Sequence, residues 1–260
     1  MDNNKNNVMI QPTIEFYTKE NEHPYFLVEF STLHTFQIDL INEDYLIKSH
    51  NEDNIIISGS MINQKDYIIT SKPNALYFKR NDEHTIIHST YKEEEKITII
   101  LPKSLFLRSF LFSIKSGEGK ISNIDADQVI IKNVSGEMNL QDIESSNFTL
   151  ETMTGDLTLK NLTSSNATFK TMTGDIELSN INITHALHCH SLEGDIDLET
   201  GFAQEFFFQT ESGDFDGKEF YPNTISFESV SGDLDIKNKQ TKHDIIIKSK
   251  QAIEGEITIK

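Results

Sequence analysis

The chain has 260 residues, 37% hydrophobic and 25% charged, enough to bury a substantial core in one large domain or two modest ones. Its 41 acidic residues against 23 basic ones leave a net charge of −18, which opposes binding to nucleic acid or an anionic lipid surface, since both rely on Lys and Arg to meet phosphate. A cation or a basic partner suits such a chain better, and its one cysteine, Cys189, excludes an intramolecular disulfide.

The opening MDNNKNNVMIQ has no basic stretch followed by an apolar one, so no secretory signal is predicted. That favours a cytoplasmic chain, with a surface location reached by another route as the alternative. Residues 1–11 are polar enough to predict disorder. Residues 12–110 hold short apolar runs separated by Asn, Asp, Glu and Gly: Phe36–Leu40, Tyr45–Lys48, Ile55–Ser58, Tyr67–Thr70, Leu76–Phe78, Thr85–His88 and Ile97–Leu101. They predict irregular β coils or antiparallel strands capping whatever follows. The apolar stretch from Ile97 to Ile114 is broken by Pro102, Lys103 and Arg108, which argues against membrane insertion.

Residues 111–260 carry an internal repeat. A Ser, Thr or Glu is followed by Gly, an acid and alternating apolar residues, as in TGDLTL from Thr154 and SGDLDI from Ser231. The glycines are Gly117, Gly136, Gly155, Gly174, Gly194, Gly213, Gly232 and Gly255, with successive spacings of 19, 19, 19, 20, 19, 19 and 23. The last spacing predicts a short insertion near Asn238–Lys242. Two residues after the glycine stand Met138, Leu157, Ile176, Ile196, Phe215, Leu234 and Ile257; four after it are Leu or Ile, except Gly217. Pairs seven and five before it, such as Phe148/Leu150 and Phe206/Phe208, are also apolar. Spacing by two is strand alternation, not helical periodicity.

A unit of about 19 residues cannot bury its own apolar face, but stacked copies can. The prediction is an all-β parallel β-solenoid (β-helix) with about 19 residues per coil. Strands about 4.8 Å apart would give a rod on the order of 35 Å long. Each glycine marks a corner that needs positive φ or a close backbone approach. No linker rich in Pro, Gly or Ser divides the chain, so one continuous unit is expected.

The serial [ST]-G-[DE]-[LIMF]-x-[LI] units, with the entry segment from Ile97 to Ile121, resemble a bacterial putative-adhesin family of β-strand-repeat domains of unknown function. The resemblance spans roughly residues 36–260. It implies a cell-envelope protein, and it carries over no catalytic residue.

The position after the repeat glycine is acidic in every copy: Glu118, Glu137, Asp156, Asp175, Asp195, Asp214, Asp233 and Glu256. A second acidic position, two further on, holds Glu177, Asp197, Asp216 and Asp235. Both alternate with core positions, so stacking makes them two solvent-facing ladders. Like charges ~5 Å apart repel by about 0.8 kcal/mol even at the dielectric constant of water. Hydrogen bonds to turn amides would offset that repulsion. So would a basic protein or peptide, or calcium, which takes several carboxylate oxygens.

His188 and His190 share one strand face on either side of Cys189, a pair that takes a transition metal only if a neighbouring coil adds a ligand. The equivalent columns offer Thr168/Lys170 and Phe207/Gln209, neither of them an evident ligand set. Surface histidines are the simpler reading, with Cys189 as a small core residue. Phe207 falls on an outward position and is expected to be an isolated exposed residue. Leu111 and Ile130, also outward, are expected to lie under the N-terminal segment. A glycan-cleaving β-helix would need two carboxylates in different environments, whereas these repeat without distinction.

The last coil has strand edges with no evident cap, blunted by Lys248, Lys250 and Lys260 or paired with a second copy. The expected function is a non-enzymatic binding or scaffold module of the bacterial envelope presenting acidic ladders. The alternatives are a cytoplasmic scaffold that self-associates through its C-terminal coil and, third, a glycan-active β-helix.

Overall fold

The computed structural model describes residues 11–18, 23–81, 96–239 and 244–260, and every regular element among them is a β-strand. The N-terminal strands are β1 (Thr13–Tyr17), β2 (Tyr25–Glu29), β3 (Thr35–Leu40), β4 (Tyr45–His50), β5 (Asn54–Ser58), β6 (Tyr67–Lys72), β7 (Ala75–Arg80), β8 (Ile97–Pro102) and β9 (Leu107–Ile114). The repeats form β10 (Gly119–Asn133), β11 (Met138–Thr152), β12 (Leu157–Thr171), β13 (Ile176–Ser191), β14 (Ile196–Thr210) and β15 (Phe215–Ser229). The last coil is built from β16 (Leu234–Lys237), β17 (Ile246–Ala252) and β18 (Ile257–Ile259). Residues 1–10 and the run Thr85–His88 lie outside the described residues, as does part of the expected insertion near 238–242.

The repeats stack as a parallel β-solenoid of about eight turns. Leu157 pairs with Ile176, Leu159 with Leu178 and Phe169 with Cys189, so each apolar column runs along the axis. The 20-residue spacing has a local cause. Ser164 pairs with Ile183 and Asn166 with Ala186, so the extra residue is a bulge at Thr184–His185. In β11, pairing skips Asp142 and Ser146, which divides the strand into three arms. With the glycine turn, these breaks give each coil three corners.

One corner rests on a device the glycine pattern does not reveal. Six residues after the glycine stand Asn123, Asp142, Asn161, Asn180, Thr200 and Glu219, all with φ between 52° and 70°. Asn tolerates this left-handed conformation better than most residues. The side chains also stack: Asn161 Nδ2 donates to Asp142 Oδ1 at 2.6 Å, and Asn180 Nδ2 to Asn161 Oδ1 at 2.8 Å.

The interior is tightly filled. Leu157, Leu159, Ile176, Leu187 and Phe206 are all within 1% of complete burial. Gly217, where other coils carry Leu or Ile, meets Phe215, Ile236 and Phe220 within 3.4 Å of where a Cβ would stand. The Phe215 ring, the Ile236 side chain and the Cβ of Phe220 thus fill the missing volume, as close packing demands.

In the N-terminal region, chain order and stacking order part company. β3 lies between β7 and β9, and β4 between β8 and β10, all in parallel. The coil containing β7 and β8 therefore stacks outside the one containing β3 and β4. Antiparallel strands then cover this end: β6 on β7, and β5, β2 and β1 in succession from β8. Of these, β1 and β2 were not apparent from the apolar runs. Gln11 donates from Nε2 to Ser71 O at 2.7 Å, tying the start of the described chain to β6.

Candidate functional site

The glycine corner positions the first acidic ladder. A Cβ on Gly155, Gly174, Gly194, Gly213, Gly232 or Gly255 would lie 2.1–2.3 Å from the carbonyl oxygen of the glycine one coil before, and on Gly136 2.4 Å from that of Gly117. Close approach is therefore the requirement at every coil. Positive φ accompanies it only at Gly117 and Gly136. Beneath the corner runs a buried polar column. Thr152, Thr171, Ser191 and Ser229 each donate a hydroxyl to the carbonyl of the glycine three residues on, and Asn133 Nδ2 does the same to Gly136 O.

The acid after each glycine faces solvent, yet it is tied to the backbone of the next coil. Asp175 N–H donates to Asp156 Oδ1, Asp195 N–H to Asp175, Asp214 N–H to Asp195, Asp233 N–H to Asp214 and Glu256 N–H to Asp233, all at 2.8–3.0 Å. The ladder begins before the repeats, where Glu118 N–H donates to Asp44 Oδ1 at 2.9 Å. One oxygen of each of these bonded aspartates is thus occupied within the stack. Glu137 is exposed in the same column.

The second ladder is in register, Glu177 beside Asp197, then Asp216, then Asp235. Asp197 shows the crowding: burial, then Asp216, Asp195, Glu177 and Asp175, push its carboxyl above the usual range. Lys237 approaches Asp216 at 3.9 Å, a loose exposed pair worth little by itself. Among the described residues, no three His, Cys, Asp or Glu side chains gather into a metal-sized group.

On the arm preceding the glycine corner, His188 and His190 do share a face, and their rings are nearly parallel with centroids 6.2 Å apart. Desolvation lowers both imidazole pKa values. Cys189 is wholly buried between them, and burial pushes its thiol far up, leaving it a core residue. The expectation for Phe207 needs correction. It is half-buried rather than isolated, because its ring stacks on His188 at 4.4 Å and 4°. Leu111 and Ile130 are also half-buried, as successive members of this outward column between Gln37 and Thr149.

Residues 35–260 match the family Toastrack DUF4097, a domain of unknown function. The chain belongs to the Toastrack family. No curated protein matches it. Two solved structures resemble this Toastrack chain in fold. One is a putative adhesin from Bacteroides fragilis, at 17% identity and a TM-score of 0.54, with 92% of this chain and 98% of that one covered. The other is a putative lipid binding protein from Parabacteroides distasonis, at 12% identity and a TM-score of 0.58, with the same coverage. At such identities the likeness shows the shared solenoid. Among the described residues of the Toastrack chain, no helix is long and apolar enough to cross a membrane.

Proposed function

We propose that this chain is a non-enzymatic binding or scaffold module of the bacterial cell envelope, and that its second acidic ladder receives a cation or a basic partner. The observation that carries the reading is the in-register row of Glu177, Asp197, Asp216 and Asp235 on successive coils, and burial followed by these acidic neighbours raises the carboxyl of Asp197 within it. Unlike the first row, it is held by no backbone amide among the described residues, and apart from water and the loose Lys237–Asp216 pair its repulsion is left for a further counter-charge to offset. Carboxylates that repeat coil after coil favour a uniform surface over a general acid and base in distinct environments. The likeness to a protein described as an adhesin supports the envelope assignment.

The test is titration of a lysine-rich peptide, and separately of calcium, into the wild type and an Asp197→Asn/Asp216→Asn variant. Binding that weakens in the variant while thermal stability holds supports the reading. Equal binding by both proteins, or none by either, overturns it.

A second reading is self-association through the C-terminal coil. It is favoured by the exposure of Ile246 (62%), Ile247 (47%), Ile253 (79%) and Ile259 (38%) on that coil. Among the described residues β17 pairs only with β15 and β18 only with β16, leaving their outer edges open. Light scattering over a concentration series distinguishes it: mass that grows with concentration supports it, and a constant monomer mass overturns it.

A further inference from the structure

The aromatic pair outside the acidic face opens onto a slot. His188, Phe207, Ser226 and Ser249 occupy one outward column on four successive coils. His188 covers one face of the Phe207 ring. The next two members of the column are serines, too small to cover the other face. A slot of about 290 Å³ is left there, rimmed by Gln209, Glu228 and Gln251. Through His190 and these three polar residues it adjoins a groove of about 840 Å³ running to the corner at Met172, Leu192 and Val230.

From this geometry we infer that the slot binds a pyranose ring of a neutral oligosaccharide, stacked on the free face of Phe207. A pyranose has an apolar C–H face and a rim of hydroxyls. The slot offers an aromatic wall with two amides and a carboxylate at its mouth, the pairing of apolar surface and few polar groups that ligand sites use. Gln251 presents both a donor and an acceptor, Gln209 a donor beside the Oε1 that already meets His190 Nδ1 at 3.1 Å, and Glu228 accepts, which matches hydroxyls that do both. Charge at the slot is sparse, unlike the acidic face. The two lysines beside it are already paired, Lys248 with Glu205 at 2.6 Å and Lys170 with Glu151 at 3.3 Å, which leaves Glu228 as the carboxylate at its mouth. A single exposed ion pair adds little for a basic side chain, and an uncharged polar ring fits better. The adjoining groove leaves room for further sugar units.

The test is titration of cellohexaose, chitohexaose and mannohexaose, followed by NMR at the His188 and His190 ring protons. Two variants approach the slot from opposite directions. Phe207→Ser removes the platform, and Ser226→Phe fills the slot while leaving the existing contacts in place. At least one hexasaccharide is expected to bind the wild type, and both variants to bind it at least about tenfold more weakly. The Asp197→Asn/Asp216→Asn variant should bind it normally, so this inference and the acidic-face reading fail separately. No shift with any of the three sugars overturns the inference, as does binding undiminished in Ser226→Phe. An arginine-rich peptide that competes for Phe207 where the sugars do not would also overturn it.

Discussion

The backbone N–H of Asp214 donates to the carboxylate of Asp195 one coil away, at 2.8 Å. Each such aspartate both anchors the next coil and adds to a row of like charges, and the two roles have opposite signs for stability. Asparagine separates them, since its Oδ1 keeps the acceptor and drops the charge. Asp195→Ala is expected to cost about 1 kcal/mol through the lost hydrogen bond. Asp195→Asn is expected to be neutral or stabilising. Urea unfolding of both variants decides it, and an equal loss in both would mean that charge, not the acceptor, is what the position needs.

Thr200 holds φ at 70° in a column otherwise filled mostly by Asn and Asp. A β-branched residue there is strained. Thr200→Asn should stabilise the protein by about 1 kcal/mol, because the left-handed conformation costs asparagine less. It also places an amide next to Asn180, which already donates to Asn161 at 2.8 Å. Calorimetry should show a melting temperature raised by roughly 2–4 °C for a chain of this size. An unchanged or lower value would show that Thr200 makes a compensating contact.

What was legible from the amino acids followed from period. A glycine, an acid and two apolar pairs recurring every 19 or 20 residues leave few folds other than a stacked solenoid, and the columns they predict are those that pair. The asparagine corner was also written at a fixed offset, but Thr200 and Glu219 interrupt it, so it does not stand out. The buried column of Thr152, Thr171, Ser191 and Ser229 hides for a different reason. Small polar residues before a glycine look like turn residues until the fold shows their hydroxyls bonded to the corner carbonyls. The N-terminal stacking order was illegible. Glu43 occupies the place of a repeat glycine, its carbonyl 2.4 Å from where a Cβ on Gly117 would lie, and no motif marks it. Phe207 is less exposed than its outward position predicts, because alternation fixes a direction but not the His188 ring that meets it.

That displaced Glu43 is the centre of a buried polar cluster. Arg80 Nη1 lies 3.3 Å from Glu43 Oε1, with both side chains nearly inaccessible. Tyr67 OH donates to Glu43 and accepts from Arg80 at 2.7 Å, while the Ile41 and Asn42 amides donate to Oε2. Removing one partner leaves the other charge buried, which costs about 3–5 kcal/mol. Arg80→Met and Glu43→Gln are each expected to lose that much in urea unfolding, and the double variant less than their sum. Simple additivity would mean that water reaches the pair.

The histidine face makes stability depend on pH in a defined direction. Burial lowers His188 below the ordinary 6.5, with a smaller contribution from His190, and Glu205 opposes it. Burial also lowers His190, helped by Lys170 and opposed by the hydrogen bond to Gln209. The unfolded chain therefore binds protons more readily than the folded one as pH falls below 6.5. The stability from the neutral imidazoles is complete above that pH and is lost as pH drops through their folded values. Asp197, raised in the folded state, works the other way and adds stability on acidification. Melting temperatures at pH 7.5, 6.5 and 5.5 for the wild type and His188→Gln/His190→Gln isolate the histidine contribution. The wild type should lose more than the variant between pH 6.5 and 5.5. Parallel curves would show that both rings are hydrated in solution and the slot beside Phe207 is wet.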